Sequence, residues 1–128
     1  MKLYCSSEAC SLSAHIALRE AGIAFEAIAV PTKTHKLADG TDYYTINPLG
    51  YVPLLVLDDG STRREGPAIV QYIADQAPTK NLARANGSPA RYQLQSWLNF
   101  VATELHAKFG LLFNPAVPEE VNGLTPAQ

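Results

Sequence analysis

The chain carries 128 residues, 47% of them hydrophobic, with 10 Lys and Arg against 12 Asp and Glu for a formal charge of −2. That is room for one compact core and part of a second, and no basic run or stripe marks a nucleic-acid partner. No apolar stretch approaches the ~20 residues of a membrane span, and the opening Met1-Lys2-Leu3-Tyr4-Cys5 lacks a secretion-signal pattern.

Residues Lys2 to Cys5 read as a first strand and Ser6 to Ala9 as a loop. Ser11 to Ala21 carry helix signals: Ser11 or a residue nearby as a cap, Leu12 and Ile16 four apart, and Gly22 as a stop. Phe25 to Val30 form an apolar run closed by Pro31, a second strand. Pro31 to Thr45 are polar and mixed and predict a loop with a short helix, followed by an Asn47-Pro48-Leu49-Gly50 turn. Leu54 to Leu57, the Asp58-Asp59-Gly60 turn and Ser61 to Arg64 predict a hairpin. Gly66-Pro67 opens a helix with Ala68, Ile69, Tyr72 and Ile73 on its apolar face, ended by Pro78.

Residues 78–89 are rich in Pro, Asn, Gly, Ser and Ala and read as a linker. Ala90 to Leu112 predict a long amphipathic helix with a stripe of Leu94, Leu98, Val101 and Leu105. Tyr92 and Trp97 are expected as core or interface aromatics. Asn114 to Gln128, with three prolines, give no firm element. The order is β-α-β-(α)-β-β-α, then a linker, then helix. That is an α/β thioredoxin-like domain over 1–77, a linker over 78–89, and the start of an all-helical domain over 90–128.

The only two cysteines, Cys5 and Cys10, have neither a C-x-x-C nor a zinc spacing, so a cytoplasmic setting with reduced thiols is expected and no metal. Cys10 sits just before a helix, where free N–H groups and the positive end of the dipole favour a thiolate. Ser11 and Ser13 are candidate donors to its sulfur. A buried, inert cysteine at a strand–helix junction is the competing reading. Val52-Pro53 precedes a strand. Were the bond cis, the Val52 polar groups would face outward to pair with an extended peptide, although a trans proline is the commoner case. Glu65-Gly66-Pro67 opens a helix whose N–H groups suit a carboxylate, with Glu65 beside it for an ammonium. A plain helix start is the alternative. His15, His35 and His106 share no metal-ligand spacing, and a Cys10–His15 hydrolase dyad has no orienting motif.

In their order and spacing, these residues match a known pattern. Ala9-Cys10-Ser11-Leu12-Ser13, His15-Ile16-Ala17-Leu18-Arg19-Glu20, Asn47-Pro48, Val52-Pro53, Glu65-Gly66-Pro67-Ala68-Ile69, Gln71-Tyr72, Trp97-Leu98-Asn99-Phe100 and Glu104-Leu105-His106 resemble the beta class of bacterial glutathione transferases. Gly50-Tyr51-Val52-Pro53 is similar to members from aromatic-degradation pathways. The resemblance implies glutathione as cosubstrate, a hydrophobic electrophile as second substrate, and a homodimer. It implies that Cys10 approaches the glutathione sulfur, with Ser11 beside it and His106 lining the active site. Val52, ahead of cis Pro53, would pair with the cysteinyl backbone. Glu65 and Gly66 would hold the γ-glutamyl end, and Asn99 would reach glutathione from the partner subunit.

Three departures stand out. The family usually has lysine where His35 stands at the glycyl carboxylate, which leaves His35 or Lys36 to serve there. Arg63-Arg64 replaces a mostly apolar pair. The chain is expected to be truncated within the helical domain, leaving the electrophile pocket incomplete. A glutaredoxin-like thiol–disulfide oxidoreductase and a non-catalytic glutathione-binding remnant are the alternative functions.

Overall fold

The computed structural model describes residues 1–7 and 9–110. Four strands form one mixed sheet: β1 (Lys2–Cys5), β2 (Glu26–Ala29), β3 (Leu54–Val56) and β4 (Thr62–Arg63), in the order β2-β1-β3-β4. β1 and β2 run parallel, with Leu3 beside Ala27, and a parallel pair needs a crossover. Helix α1 (Leu12–Ala21) supplies it. Gly22 stops α1 in the left-handed conformation at φ +70°, donating its N–H to the last carbonyls, Arg19 and Leu18. β3 is antiparallel to both β1 and β4, and Gly60 donates to the Leu57 carbonyl in the hairpin turn. β1 has its predicted bounds, whereas β2, β3 and β4 are each one or two residues shorter than the runs that predicted them.

Side chains alternate across a strand, so each strand feeds both faces of the sheet. On one face Leu3 and Leu55 pack with Ala14, Leu18 and Ala21 of α1 and with Ile69 and Ile73 of α2 (Gly66–Gln76). On the other, Tyr4 and Leu54 pack with Val30 and Tyr43. Burying one such leucine or isoleucine stabilises the fold by ~1.5–3 kcal/mol, and each face holds several. This is the thioredoxin-like arrangement, with one reduction. The short helix expected between β2 and β3 is a single 3-10 turn, Tyr43–Thr45, begun by the Asp42 carboxylate accepting the Tyr44 N–H.

A second 3-10 turn, Pro78–Lys80, follows α2, and α3 (Pro89–Phe100) begins after Ser88, whose hydroxyl accepts the Arg91 N–H. The helix continues as a π-helical stretch, Val101–His106, and then as α4 (Ala107–Phe109) up to the last described residues. The expected helix end at Leu112 and the tail from Asn114 to Gln128 lie outside the described residues. The predicted stripe divides. Leu94 and Leu98 are half-buried, lining a groove of about 220 Å³ with Ile16, Ala17, Val70 and Ala74. Val101 and Leu105 are 48% and 44% exposed, and Tyr92 and Trp97 are 60% and 59% exposed, so neither aromatic is a core residue among the described residues. The physical reason is the helix type: Val101 and Leu105 both lie in the π-helical stretch, whose i→i+5 winding departs from the 3.6-residue period that predicted one continuous stripe. No helix among the described residues is long and apolar enough to cross a membrane.

Candidate functional site

The site gathers where β1, α1 and the segment before β3 meet. Cys10 lies two residues before α1 and is exposed. Its Sγ approaches the Val52 carbonyl oxygen at 3.5 Å, 42 residues away in the chain. The Val52–Pro53 peptide bond is cis, as the extended-peptide reading requires. The Val52 N–H makes no hydrogen bond to the described residues. An exposed thiol thus lies against the carbonyl of a residue whose N–H has no acceptor among the described residues.

Ser11 corrects the sequence reading. Its side chain is fully buried and does not cap α1. Its hydroxyl accepts the Ser6 N–H at 3.0 Å and donates to the Ser6 carbonyl at 3.1 Å, tying the loop after β1 to the helix start. A hydroxyl committed to both of these backbone groups is not available to the Cys10 sulfur. Nor does Ser13 reach that sulfur; it donates to the Cys10 carbonyl at 2.9 Å. Cys5 differs from Cys10 in kind. It is half-buried at the end of β1, and burial pushes its thiol above the ordinary value of 9.0.

The loop from Pro31 to Tyr51 places His35 near the turn. His35 has φ +53° and its ring stacks on Tyr44, with centroids 4.7 Å apart. Both rings pack over Gly50, where an added Cβ would stand 2.7 Å from Tyr44 Cε1 and 3.1 Å from the His35 ring. Lys36 is exposed and forms no ion pair among the described residues. At the start of α2, Glu65 has φ +65° and ψ 116°, and its carbonyl accepts the Ala68 and Ile69 N–H groups. The Glu65 carboxylate neither caps the helix nor pairs with a cation, and the Gly66 N–H has no acceptor among the described residues.

Asn99 and His106 are exposed on the long helix, and no hydrogen bond ties either side chain to Cys10 or Val52 among the described residues. The arginine pair that departs from the family pattern separates. Arg63 lies over the Tyr72 ring at 5.2 Å, a cation–π contact with α2, while Arg64 is exposed.

Two groups of residues escaped the sequence reading. Tyr43 and Asn47 both donate to the Tyr51 carbonyl, at 2.9 and 2.8 Å. Arg91 is 2% exposed and is bound to α2. Its place in the heptad-like row with Gln95 and Leu98 was a usable signal, since an arginine on a core-facing row needs a partner.

The comparisons with known proteins agree with this geometry. Residues 9–76 match the family model described as glutathione S-transferase, N-terminal domain. The whole chain is 46% identical to glutathione S-transferase GstA of Escherichia coli O157:H7, spanning 64% of it. It is 61% identical to the solved ternary complex of BphK, a bacterial GST, at a TM-score of 0.91, covering 95% of this chain and 61% of that one. It is 52% identical to a sphingomonad glutathione S-transferase solved with glutathione, at a TM-score of 0.89, covering 94% of this chain and 60% of that one. The chain therefore spans somewhat under two thirds of the length of these relatives. With the sheet order, the cis Val52–Pro53 bond and Cys10 at the mouth of α1 in hand, the chain belongs to the glutathione S-transferase family, in its bacterial beta class.

Proposed function

We propose that this chain binds glutathione and serves a glutathione transferase that joins the glutathione sulfur to an electrophilic, hydrophobic small molecule. The observation that carries the reading is the approach of Cys10 Sγ to the carbonyl of Val52, whose N–H has no acceptor among the described residues. An extended peptide with a thiol at its centre would pair its cysteinyl backbone with Val52 and bring its sulfur to Cys10. The start of α2 would take the γ-glutamyl carboxylate on the Gly66 N–H and its ammonium on Glu65. His35 or Lys36 would meet the glycyl carboxylate. Ser11 would contribute only through its backbone, because its hydroxyl is committed to Ser6.

In the transfer step the glutathione thiol loses its proton to solvent and its sulfur attacks the electrophile. With a chlorinated nitrobenzene, a carbon–sulfur bond forms, the carbon–chlorine bond breaks, and chloride leaves. His106 would line the electrophile's side of the site and Asn99 would reach glutathione across a dimer interface. The exposed Trp97, Phe100, Val101, Leu105 and Phe109 support such a homodimer, because an apolar row on a helix favours association. Residues 1–77 would form the glutathione-binding domain, 78–89 the linker and 90–128 part of the helical domain. A cytoplasmic setting, a role in detoxification and the absence of a metal belong to the same reading.

Exposure of Cys10 favours a second reading, thiol–disulfide exchange. Here the Cys10 thiolate attacks the glutathione sulfur of a mixed disulfide, a Cys10–glutathione disulfide forms as the old S–S bond breaks, and the partner leaves as a thiolate that takes a proton from solvent. Two assays with the whole protein and its Cys10→Ala variant separate the readings. Conjugation of chlorodinitrobenzene supports transfer, and reduction of a glutathione mixed disulfide that disappears with Cys10 supports exchange. Calorimetry that detects no glutathione binding overturns both.

A further inference from the structure

A single carbonyl, that of Tyr51, is held by two buried side chains. Tyr43 Oη donates to it at 2.9 Å and Asn47 Nδ2 at 2.8 Å. Tyr43 is fully buried and Asn47 is 2% exposed. One donor is enough to offset the burial of a carbonyl; two occupy both lone pairs and fix its direction. The Tyr51–Val52 peptide is trans and therefore planar, so its carbonyl and the Val52 N–H point in opposite directions. Holding one aims the other. The aimed group is the Val52 N–H, which has no acceptor among the described residues. Tyr43 reaches the other side of the loop as well, donating its own N–H to the His35 carbonyl at 2.7 Å.

We propose that Tyr43 and Asn47 are positioning residues for glutathione, whose joint grip on the Tyr51 carbonyl directs the Val52 N–H at the cysteinyl carbonyl of the tripeptide. This rests on the glutathione reading above. Neither side chain touches the ligand in this account; both act through the Tyr51–Val52 peptide. Because the two donors share one acceptor, losing either leaves the other in place, and losing both releases the carbonyl. The effects of the two substitutions are therefore coupled.

The test compares the unaltered chain with Tyr43→Phe, Asn47→Ala and the double variant, using glutathione calorimetry and an NMR titration of the Val52 amide. Each single change weakens glutathione binding by about threefold, and the double by about thirtyfold, beyond the product of the singles. The glutathione-induced shift of the Val52 amide signal is lost in the double variant while the Leu3 and Leu18 amides stay where they are. Thr45→Ala, which removes a hydroxyl bond in the same turn, leaves the affinity unchanged. A double variant that binds within twofold of the unaltered chain, or whose Val52 amide still responds, overturns the assignment alone. Glutathione that fails to bind the unaltered chain overturns the glutathione reading and the assignment with it. If the Asn47 variants do not fold, Tyr43→Phe carries the test, because its ring packing is retained; an unchanged dissociation constant then overturns the assignment.

Discussion

The guanidinium of Arg91 on α3 meets the Asp75 carboxylate on α2 in a two-pronged pair, at 2.8 and 2.9 Å. Two further donors reach the Gln71 side chain at 3.1 Å and the Arg84 carbonyl at 2.9 Å. Gln71 in turn accepts from Gln95 and donates to the Pro67 carbonyl. A buried charge is tolerated only when its donors are matched, and here α2, α3 and the segment between them supply the acceptors. This network fixes how the long helix leaves the first domain.

The pair predicts an asymmetry between its members. Asp75→Asn leaves the arginine charge buried without its counter-ion and is expected to cost about 3 kcal/mol of unfolding free energy. Arg91→Met removes the buried charge, leaves Asp75 to solvent through its 39% exposed side chain, and should cost less. Urea unfolding of both variants measures the order; a larger loss in Arg91→Met would contradict this account.

The two thiols should separate by rate. Cys10 is exposed, whereas Cys5 is half-buried with its thiol pushed up by burial. Brief treatment with iodoacetamide near neutral pH is expected to alkylate Cys10 at least tenfold faster, since the thiolate is the nucleophile. Peptide mapping by mass spectrometry reads the ratio, and equal labelling would remove the distinction between the two sites.

Gly50→Ala should loosen the loop that carries His35. Gly50 has φ +69°, a conformation that disfavours an alanine by about 1 kcal/mol. The added Cβ would also meet Tyr44 Cε1 at 2.7 Å, so the His35–Tyr44 stack must move. The expected result is a lower melting temperature together with weaker glutathione binding. A variant that melts and binds as the unaltered chain does would show that the stack yields without cost.

Alkaline stability should report on Tyr43. Burial first, and Tyr4 nearby, push its phenol above the ordinary value of 10.0, with the neighbouring Asn47 amide and Arg64 opposing. The folded state then holds the proton more tightly than the unfolded chain. Its contribution is complete below pH 10.0 and is lost as the pH rises through the folded value. Denaturant midpoints should fall above that pH and fall less in Tyr43→Phe. Parallel alkaline limbs for the two proteins would exclude Tyr43 as the cause.

The order of elements over residues 1–77 is legible in the chain's local signals. Gly22, Pro31, the Asp58-Asp59-Gly60 turn and Gly66-Pro67 are local signals, set by backbone geometry within a few residues, and each stands within two residues of an element end in the structure. The motif residues Cys10, Val52-Pro53 and Glu65-Gly66 were legible for the same reason: each lies at an element boundary. Tertiary structure decided what those residues touch. Ser11 reads as a cap from its position, yet its hydroxyl turns back to Ser6 because the loop after β1 folds over it. Tyr43 and Asn47 look like loop residues until the chain returns and sets the Tyr51 carbonyl between them. Arg91 breaks an apolar row until Asp75 and Gln71 are brought to it from 16 and 20 residues away. Local geometry is written in neighbouring residues; the satisfaction of a buried polar group depends on partners that only the folded chain brings within hydrogen-bond distance.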